Sequence, residues 1–416
     1  MKLFAPIKHL FRPHRRTIDP TTLGTESVFH YSLPAWHEHG DGQFEPASEI
    51  ASLKLLLNGE ELLISKLNPE KAVVIMPEAH DCLTVSSTEM VALVPVHVDR
   101  RFGFYLLSSQ PIRDQLQASV ESVTNSHKRA RVDRFLASKV AVPDLPTQKA
   151  IAAFLDRETA RIDQLIEKKQ RLVELLGERD DAAVNAAVET TGRPTKLKRH
   201  VSILPGFAFK SDEFTENPDD IRLLRGINIM PGALRWDEVR YWRSSEGAQF
   251  ERFKLRPGDI VMGMDRPWVS GGMRVAQVSD QDVPALLLQR VCKIAPRATL
   301  YADFLLLLLR SRLFLAHFEP ILTGGSVPHI SGDQIGDFSF SYVPVEQQRV
   351  QAEVALLELR RSQTLRRLAL ASIDRLKEYR SALITAAVTG QIDLGTWSRR
   401  GEGDRRLDRI EEEVAG

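Results

Sequence analysis

Two loops carry side chains suited to chemistry on a polyanion. Asp265-Arg266-Pro267-Trp268 precedes Ser270-Gly271-Gly272, and Thr323-Gly324-Gly325-Ser326-Val327-Pro328-His329 is a glycine-rich turn. Two hundred residues before the second loop lies Thr124-Asn125-Ser126-His127-Lys128-Arg129. Arg, Lys, Asn, Ser and His on loops are the residue types that contact phosphates and base edges. The same stretches also read as flexible turns and solvated charges, and composition alone leaves both readings open.

Catalytic signatures are absent. There is no GxxxxGK[ST] phosphate loop, no GxGxxG after a strand, no HExxH and no GxSxG. Asn68-Pro69 and Asn217-Pro218 run on into Glu70 and Asp219, which marks them as turns and not as a methyltransferase tetrapeptide. His37 and His39 in Trp-His-Glu-His could ligate a metal, but a repeat counterpart is not obvious and a surface loop is the simpler reading. The expectation is no catalytic residue and no metal site.

The elements that must position these loops come from a duplicated chain. Glu178–Val188 reads ERDDAAVNAAV and Glu378–Val388 reads EYRSALITAAV, 200 residues apart. Near the same offset, Gly59-Glu60-Glu61 answers to Gly258-Asp259-Ile260, Phe104–Leu107 to Phe304–Leu307, and Thr147-Gln148 to Glu346-Gln347. So long a period excludes a solenoid, whose repeats run ~20–50 residues. Each copy is a mixed globular region followed by a long helix. After Pro143 and Pro146, the residues Ile151, Leu155, Ile162, Leu165, Leu172 and Leu176 form one apolar seam. After Pro344 the seam reads Val350, Val354, Leu357, Leu365, Leu368, Leu376, Leu383 and Ala387. Two helices of about 40 residues, roughly 60 Å each at 1.5 Å per residue, should pair with one another, and antiparallel.

The globular regions read as short strands and turns. Leu62–Ser65, 72–76 and 90–94 are β-like in the first, and 260–263, 273–278 and 286–294 in the second. Short helices follow at 101–107 and 301–314. The predicted class is α+β: two similar domains with curved β-sheets, separated by two long antiparallel coiled-coil helices. The boundaries are 1–142, 143–192, 193–343 and 344–390, with 391–416 a charged and mobile tail.

Composition agrees with a folded chain, at 43% hydrophobic and 27% charged. The longest apolar run, Phe304–Leu309, is far short of the ~20 residues of a membrane span. The basic N-terminus lacks the continuous apolar stretch of a secretory signal. Two cysteines, Cys82 and Cys292, make no CxxC pair. The simplest location is the cytoplasm. The net charge of +1 neither favours nor excludes nucleic acid, since only its local distribution matters.

Leu145–Asp156 (LPTQKAIAAFLD) with Ile162–Ile166 (IDQLI) resembles the central conserved region of the specificity (S) subunit of type I restriction–modification enzymes. Arg375–Ile384 with Ala386–Gly390 is similar to the same family's region at the end of the second helix. The second copy departs from the pattern where Val354–Glu358 lacks the aspartate after leucine. The resemblance implies a subunit without catalysis. Each domain would read one half of a bipartite, asymmetric double-stranded DNA site, and the helices would set the spacing. Two methyltransferase (M) subunits would dock on the helices, and restriction/translocase (R) subunits would join. S-adenosylmethionine, ATP and Mg would belong to those partners, and no membrane is involved.

On that basis the expected DNA contacts are Lys66, Lys128, Arg129 and Arg131 in the first domain, and Arg266, Trp268, Ser326 and His329 in the second. The lysines suit phosphates and Arg266 suits a bidentate base contact, whereas Trp268 could equally be buried. The expected partner contacts are Gln148, Asp156, Asp163, Glu378 and Arg380, polar residues that cannot all lie in the seam. The alternatives are a non-DNA scaffold with two adaptor domains on a helical strut, and an enzyme with one active site per repeat.

Overall fold

The computed structural model describes residues 3–24, 26–71, 73–122, 128–269, 271–319 and 329–415. It divides into two compact units, Met1–Arg171 with Leu368–Gly416, and Leu172–Arg367. Each unit holds one globular domain and parts of both long helices.

The first domain opens and closes in one ladder, Leu3–Pro6 antiparallel to Lys139–Val142. Inside lies a four-stranded sheet in the order Phe11–His14, Met90–Pro95, Leu62–Ser65, Val74–Ile75. A five-stranded sheet follows the order Thr17–Ile18, Lys54–Leu57, Thr84–Ser87, Ser27–Tyr31, Gln43–Pro46, with Ser27–Tyr31 parallel to Thr84–Ser87. The second domain repeats the plan. Arg193–Lys196 pairs with Ser339–Tyr342. Its four-stranded sheet runs Val201–Pro205, Val291–Pro296, Ile260–Gly263, Val275–Gln277. A three-stranded sheet again contains one parallel pair, Ile221–Leu224 with Ala285–Leu287.

The strands differ from expectation where the chain turns sharply. The stretch 286–294 is two strands, Ala285–Leu287 and Val291–Pro296, because Arg290 between them has φ +65° and leaves the extended region. The stretch 301–314 is two helices, Ala302–Arg310 and Arg312–Phe318. Ser311 ends the first, and its hydroxyl accepts the Phe314 N–H to start the second.

The long helices are Leu145–Val188 and Val345–Val388, 44 residues each. The start of the first shares a unit with the end of the second, and the end of the first with the start of the second, so they pair antiparallel. In the first unit Arg380 grips Asp163 with bonds of 2.8 and 3.1 Å; in the second Arg366 grips Asp180 at 2.6 Å. The first seam is mostly buried as expected, although Leu172 is exposed. The second divides: Leu376, Leu383 and Ala387 are buried as expected, but Val350, Val354, Leu357 and Leu365 face outward. The buried stripe there is Ala352, Ala355, Leu359, Ser362 and Ala369. Small side chains cover this contact, so the bulkier residues were a misleading guide to the inner face.

The tail also departs from expectation. Leu394–Arg400 and Glu402–Ala415 are helices packed on the long-helix segments of the first unit. Trp397 meets Phe154 edge-on at 5.8 Å, and Leu407 and Ile410 are buried. His37 and His39 lie in the last turn of the helix Leu33–His39. Among the described residues no cluster of three His, Cys, Asp or Glu could hold a metal, and no helix is long and apolar enough to cross a membrane.

The cysteines give a direct check on the packing. Cys292 is fully buried, which pushes its thiol up to about 12, whereas Cys82 is partly exposed. Titration with a disulfide reagent at pH 8 should find one reactive thiol in the native protein and two after denaturation. Two fast thiols in the native state would contradict this core.

Candidate nucleic-acid interface

In both domains one strand of the four-stranded sheet ends in a loop that is stapled to a second segment. In the first, Leu67 bridges Arg129 across antiparallel backbone. The Ala130 N–H donates to Lys66 O and the Asn68 N–H to Lys128 O, each at 2.8 Å. In the second, Asp265 bridges His329, and the Ile330 N–H donates to Met264 O at 2.9 Å. The next residue in each loop is left-handed, Asn68 at φ +48° and Arg266 at φ +44°. A left-handed non-glycine residue costs of order 1–3 kcal/mol, and asparagine bears it better than arginine. Arg266 is therefore held where its own backbone preference would not put it.

The scaffold is shared but its chemistry is not. In the first domain Arg129 makes a double contact with Glu89, at 2.7 and 3.1 Å. In the second, Arg290 takes the place of Glu89, just before the strand, and an acid appears instead at Asp265. Arg290 bonds Asp265 at 2.5 Å, and His329 Nδ1 lies 2.6 Å from its other oxygen. Burial alone would raise the Asp265 carboxyl, but the bonds from Arg290 and His329 outweigh it and hold it below the usual range. A depressed carboxyl keeps its contribution at neutral pH and loses it only as pH falls through that lowered value.

The expected DNA contacts separate into groups. Arg266 is exposed and, among the described residues, has no side-chain partner. Lys66 is half-buried and Lys128 exposed, both likewise unpaired there, as phosphate contacts would be. Arg129 and Arg131 are tied to carboxylates, Arg131 to Asp133 and Glu121. Trp268 is half-buried against the core of the second domain. It lines a cleft of about 510 Å³ with Asp180, Arg310 and Arg366, on the long-helix side of the domain. Trp268 is thus partly buried and faces the cleft beside the long helix. Ser326 and the loop residues 124–127 lie outside the described residues. Glu89, Asp265 and Arg290 escaped the sequence reading; the repeat register around Met90 and Val291 was the signal that could have found them.

The helix residues also separate. Gln148 is buried and its amide is fully engaged: Oε1 accepts the Asp99 N–H and Nε2 donates to Pro143 O, both at 2.8 Å. It caps the helix Arg100–Leu107 from outside and is not available to a partner. Its counterpart is Gln348 and not Gln347. Gln348 accepts the Tyr301 N–H at 2.8 Å and donates to Val343 O at 2.7 Å. A second pair of grips comes from the opposite helix, Thr385 accepting the Gln110 N–H and Asn185 the Arg312 N–H. Asp156 accepts the Tyr105 hydroxyl at 2.9 Å. Asp163 and Arg380 are spent on each other but remain partly exposed. Glu378 is 69% exposed and, among the described residues, bonds its helix neighbour Arg375 at 3.0 Å.

No protein-family model matches the chain. Sequence relatives are of one kind. The specificity subunit of the type I restriction enzyme EcoAI of Escherichia coli is 38% identical over 148 residues, 35% of this chain and 25% of that protein. The MjaVIII specificity subunit of Methanocaldococcus jannaschii is 24% identical over 69% of this chain and 70% of its own length. The EcoBI specificity subunit of Escherichia coli is 30% identical over 46% and 37%. The chain thus matches only a quarter of the EcoAI subunit's length. A chain from a structural study of complex assembly and conformational transition in the type I R-M system has the same fold, with a TM-score of 0.70 at 14% identity, over 93% of this chain and 97% of that one. All three sequence relatives are specificity subunits of type I restriction enzymes, and the fold agrees with that of the type I R-M chain, so this chain is similar to that family in sequence and in fold.

Proposed function

We propose that the chain is the DNA-reading subunit of a type I restriction–modification complex. Each domain reads one half of a bipartite, asymmetric duplex site, and the paired helices set the spacing and dock two methyltransferase subunits. Restriction/translocase subunits join that assembly. Methyl transfer, with S-adenosylmethionine, and ATP- and Mg-dependent cleavage belong to those partners, while this chain supplies recognition.

One observation carries the reading: the stapled loop is built twice on equivalent strands, with different side chains in each copy. Equal scaffolds with unequal chemistry are what two unlike half-sites require. Phosphate contacts from residues such as Lys66 and Lys128 would set the register, and unpaired side chains such as Arg266 would read bases.

The test is methylation mapping of cells carrying this chain with a type I methyltransferase subunit. The expected motif has two unlike half-sites separated by a non-specific spacer, about one helical turn from centre to centre. A palindromic motif would overturn the assignment, as would methylation independent of this chain.

A further inference from the structure

In each domain the edge strand of the four-stranded sheet leaves the sheet at the end where the stapled loop stands. In the first, Phe11–His14 and Leu62–Ser65 are both antiparallel to Met90–Pro95, so they run the same way. His14 lies opposite Ala92, and Ala92 opposite Leu63. Arg15 and Arg16 therefore follow at the level of Ile64 and Ser65, just before Lys66. The segment is pinned on a neighbouring strand. The Leu56 N–H donates to Arg16 O at 2.9 Å, and His14 Nε2 lies 2.8 Å from Leu56 O. Both arginines are exposed, and among the described residues neither side chain has a partner.

The second domain keeps the backbone and drops the charge. Pro205 lies opposite Cys292, and Cys292 opposite Met262. Leu67 and Asp265 are the bridged residues of the two staples. Counting back from them sets Pro205 in the place of Arg15 and Gly206 in the place of Arg16. The Gly206 N–H donates to Val291 O at 2.9 Å, and a Cβ there would collide with Leu288 O, so this place admits no side chain. Phe207 comes next, 39% exposed, its ring backed by Phe209 at 4.9 Å and Phe250 at 5.0 Å. The cation Arg290 at this end is committed to Asp265.

We propose that Arg15 and Arg16 form a phosphate clamp at the reading end of the first domain, and that the equivalent positions of the second domain have no such clamp. Two adjacent guanidinium groups with no carboxylate to neutralise them draw a polyanion. Beside Lys66 they extend the row of cations that a duplex backbone would follow. The first half-site then carries more of the salt-dependent affinity, while the second relies on Arg266 and the uncharged ring of Phe207. This inference rests on the DNA-reading proposal.

The test titrates the full chain, in complex with a type I methyltransferase subunit, with a duplex carrying the parent's methylation motif, from about 50 to about 200 mM salt. Each phosphate contact adds about 0.9 to the slope of log K against log salt. Arg15→Ala with Arg16→Ala should therefore flatten the slope by roughly 1.8, so that the parent loses about tenfold more affinity than the variant over this range. Both positions are exposed, so the fold is preserved, and the methylation motif should stay that of the parent. Arg15→Lys with Arg16→Lys should restore the slope, because a phosphate needs the charge and not the fork. An unchanged slope in the alanine variant, with site-specific binding intact, would overturn the clamp and leave the DNA-reading proposal standing. A relaxed base position in the lysine variant would also overturn it, by making these arginines base readers. Methylation independent of this chain would remove both proposals together.

Discussion

Gln348→Ala should lower the unfolding free energy of the second domain by about 2–4 kcal/mol, whereas Gln347→Ala should change it by less than about 0.5 kcal/mol. The two residues are neighbours in a similar sequence, but only Gln348 is buried. Its amide accepts the Tyr301 N–H and donates to Val343 O and Thr299 O. Alanine would leave the Tyr301 N–H and the Val343 and Thr299 carbonyls without this partner; the bond to Val343 is buried and the other two are part-buried, so each lost partner costs roughly 1–3 kcal/mol only where water does not replace the amide. It would also uncap the helix Ala302–Arg310 and loosen the domain from the long helix. Gln348→Glu should be no rescue, because a carboxylate cannot donate to either carbonyl. Gln148→Ala should act likewise in the first domain, through Asp99 and Pro143. Urea unfolding of the four variants measures this. Equal midpoints for Gln347→Ala and Gln348→Ala would show that the amide does not hold the domain.

Arg266→Ala should relax one base position in one half-site and leave the other half-site intact. The reasoning is geometric. Arg266 is exposed and unpaired among the described residues, while Arg290 beside it is committed to Asp265. A bidentate arginine–guanine contact is worth about 1–3 kcal/mol of discrimination, roughly ten- to hundredfold. Because Arg266 has φ +44°, alanine there keeps the backbone strain and isolates the side chain; glycine would relax the loop as well. Lys128→Ala, by contrast, should weaken methylation at all sequences alike and flatten the salt dependence of binding. Methylation mapping of both variants beside the parent separates the two effects. An unchanged motif at full activity for Arg266→Ala would remove this residue from base reading.

Duplication and three of the four strands of each four-stranded sheet were legible because they rest on local pattern, while Phe11–His14 and Val201–Pro205 were not. The apolar runs at Leu62–Ser65 and Ile260–Gly263 are interior strands at equivalent places in the two sheets, as their composition implies. The five-stranded sheet of the first domain was not. Its members are two to five residues long, and one is added in parallel by Thr84–Ser87, more than fifty residues after its partner Ser27–Tyr31. No local period encodes such a pairing.

The long helices show the same division in one element. Their existence, length and antiparallel pairing follow from a 200-residue repeat and from apolar residues at steps of three and four. Which stripe faces inward does not. In the second helix two stripes compete, one of bulky aliphatics through Val350, Val354 and Leu365, and one of small residues through Ala352, Ala355 and Ala369. Hydrophobicity favours the first. The structure buries the second, because alanine lets two helices approach closely while contact with the domain completes the burial around Gln348. The charged tail likewise has a helical sequence, but only Phe154, Arg161 and Lys169, some 240 residues upstream, decide where it docks. By itself the sequence determined the family resemblance, the repeat and the residue types of the two stapled loops. The tertiary structure decided which of those residues are free to act, since pairing with Glu89, Asp265 or a buried carbonyl depends on neighbours that only folding brings within reach.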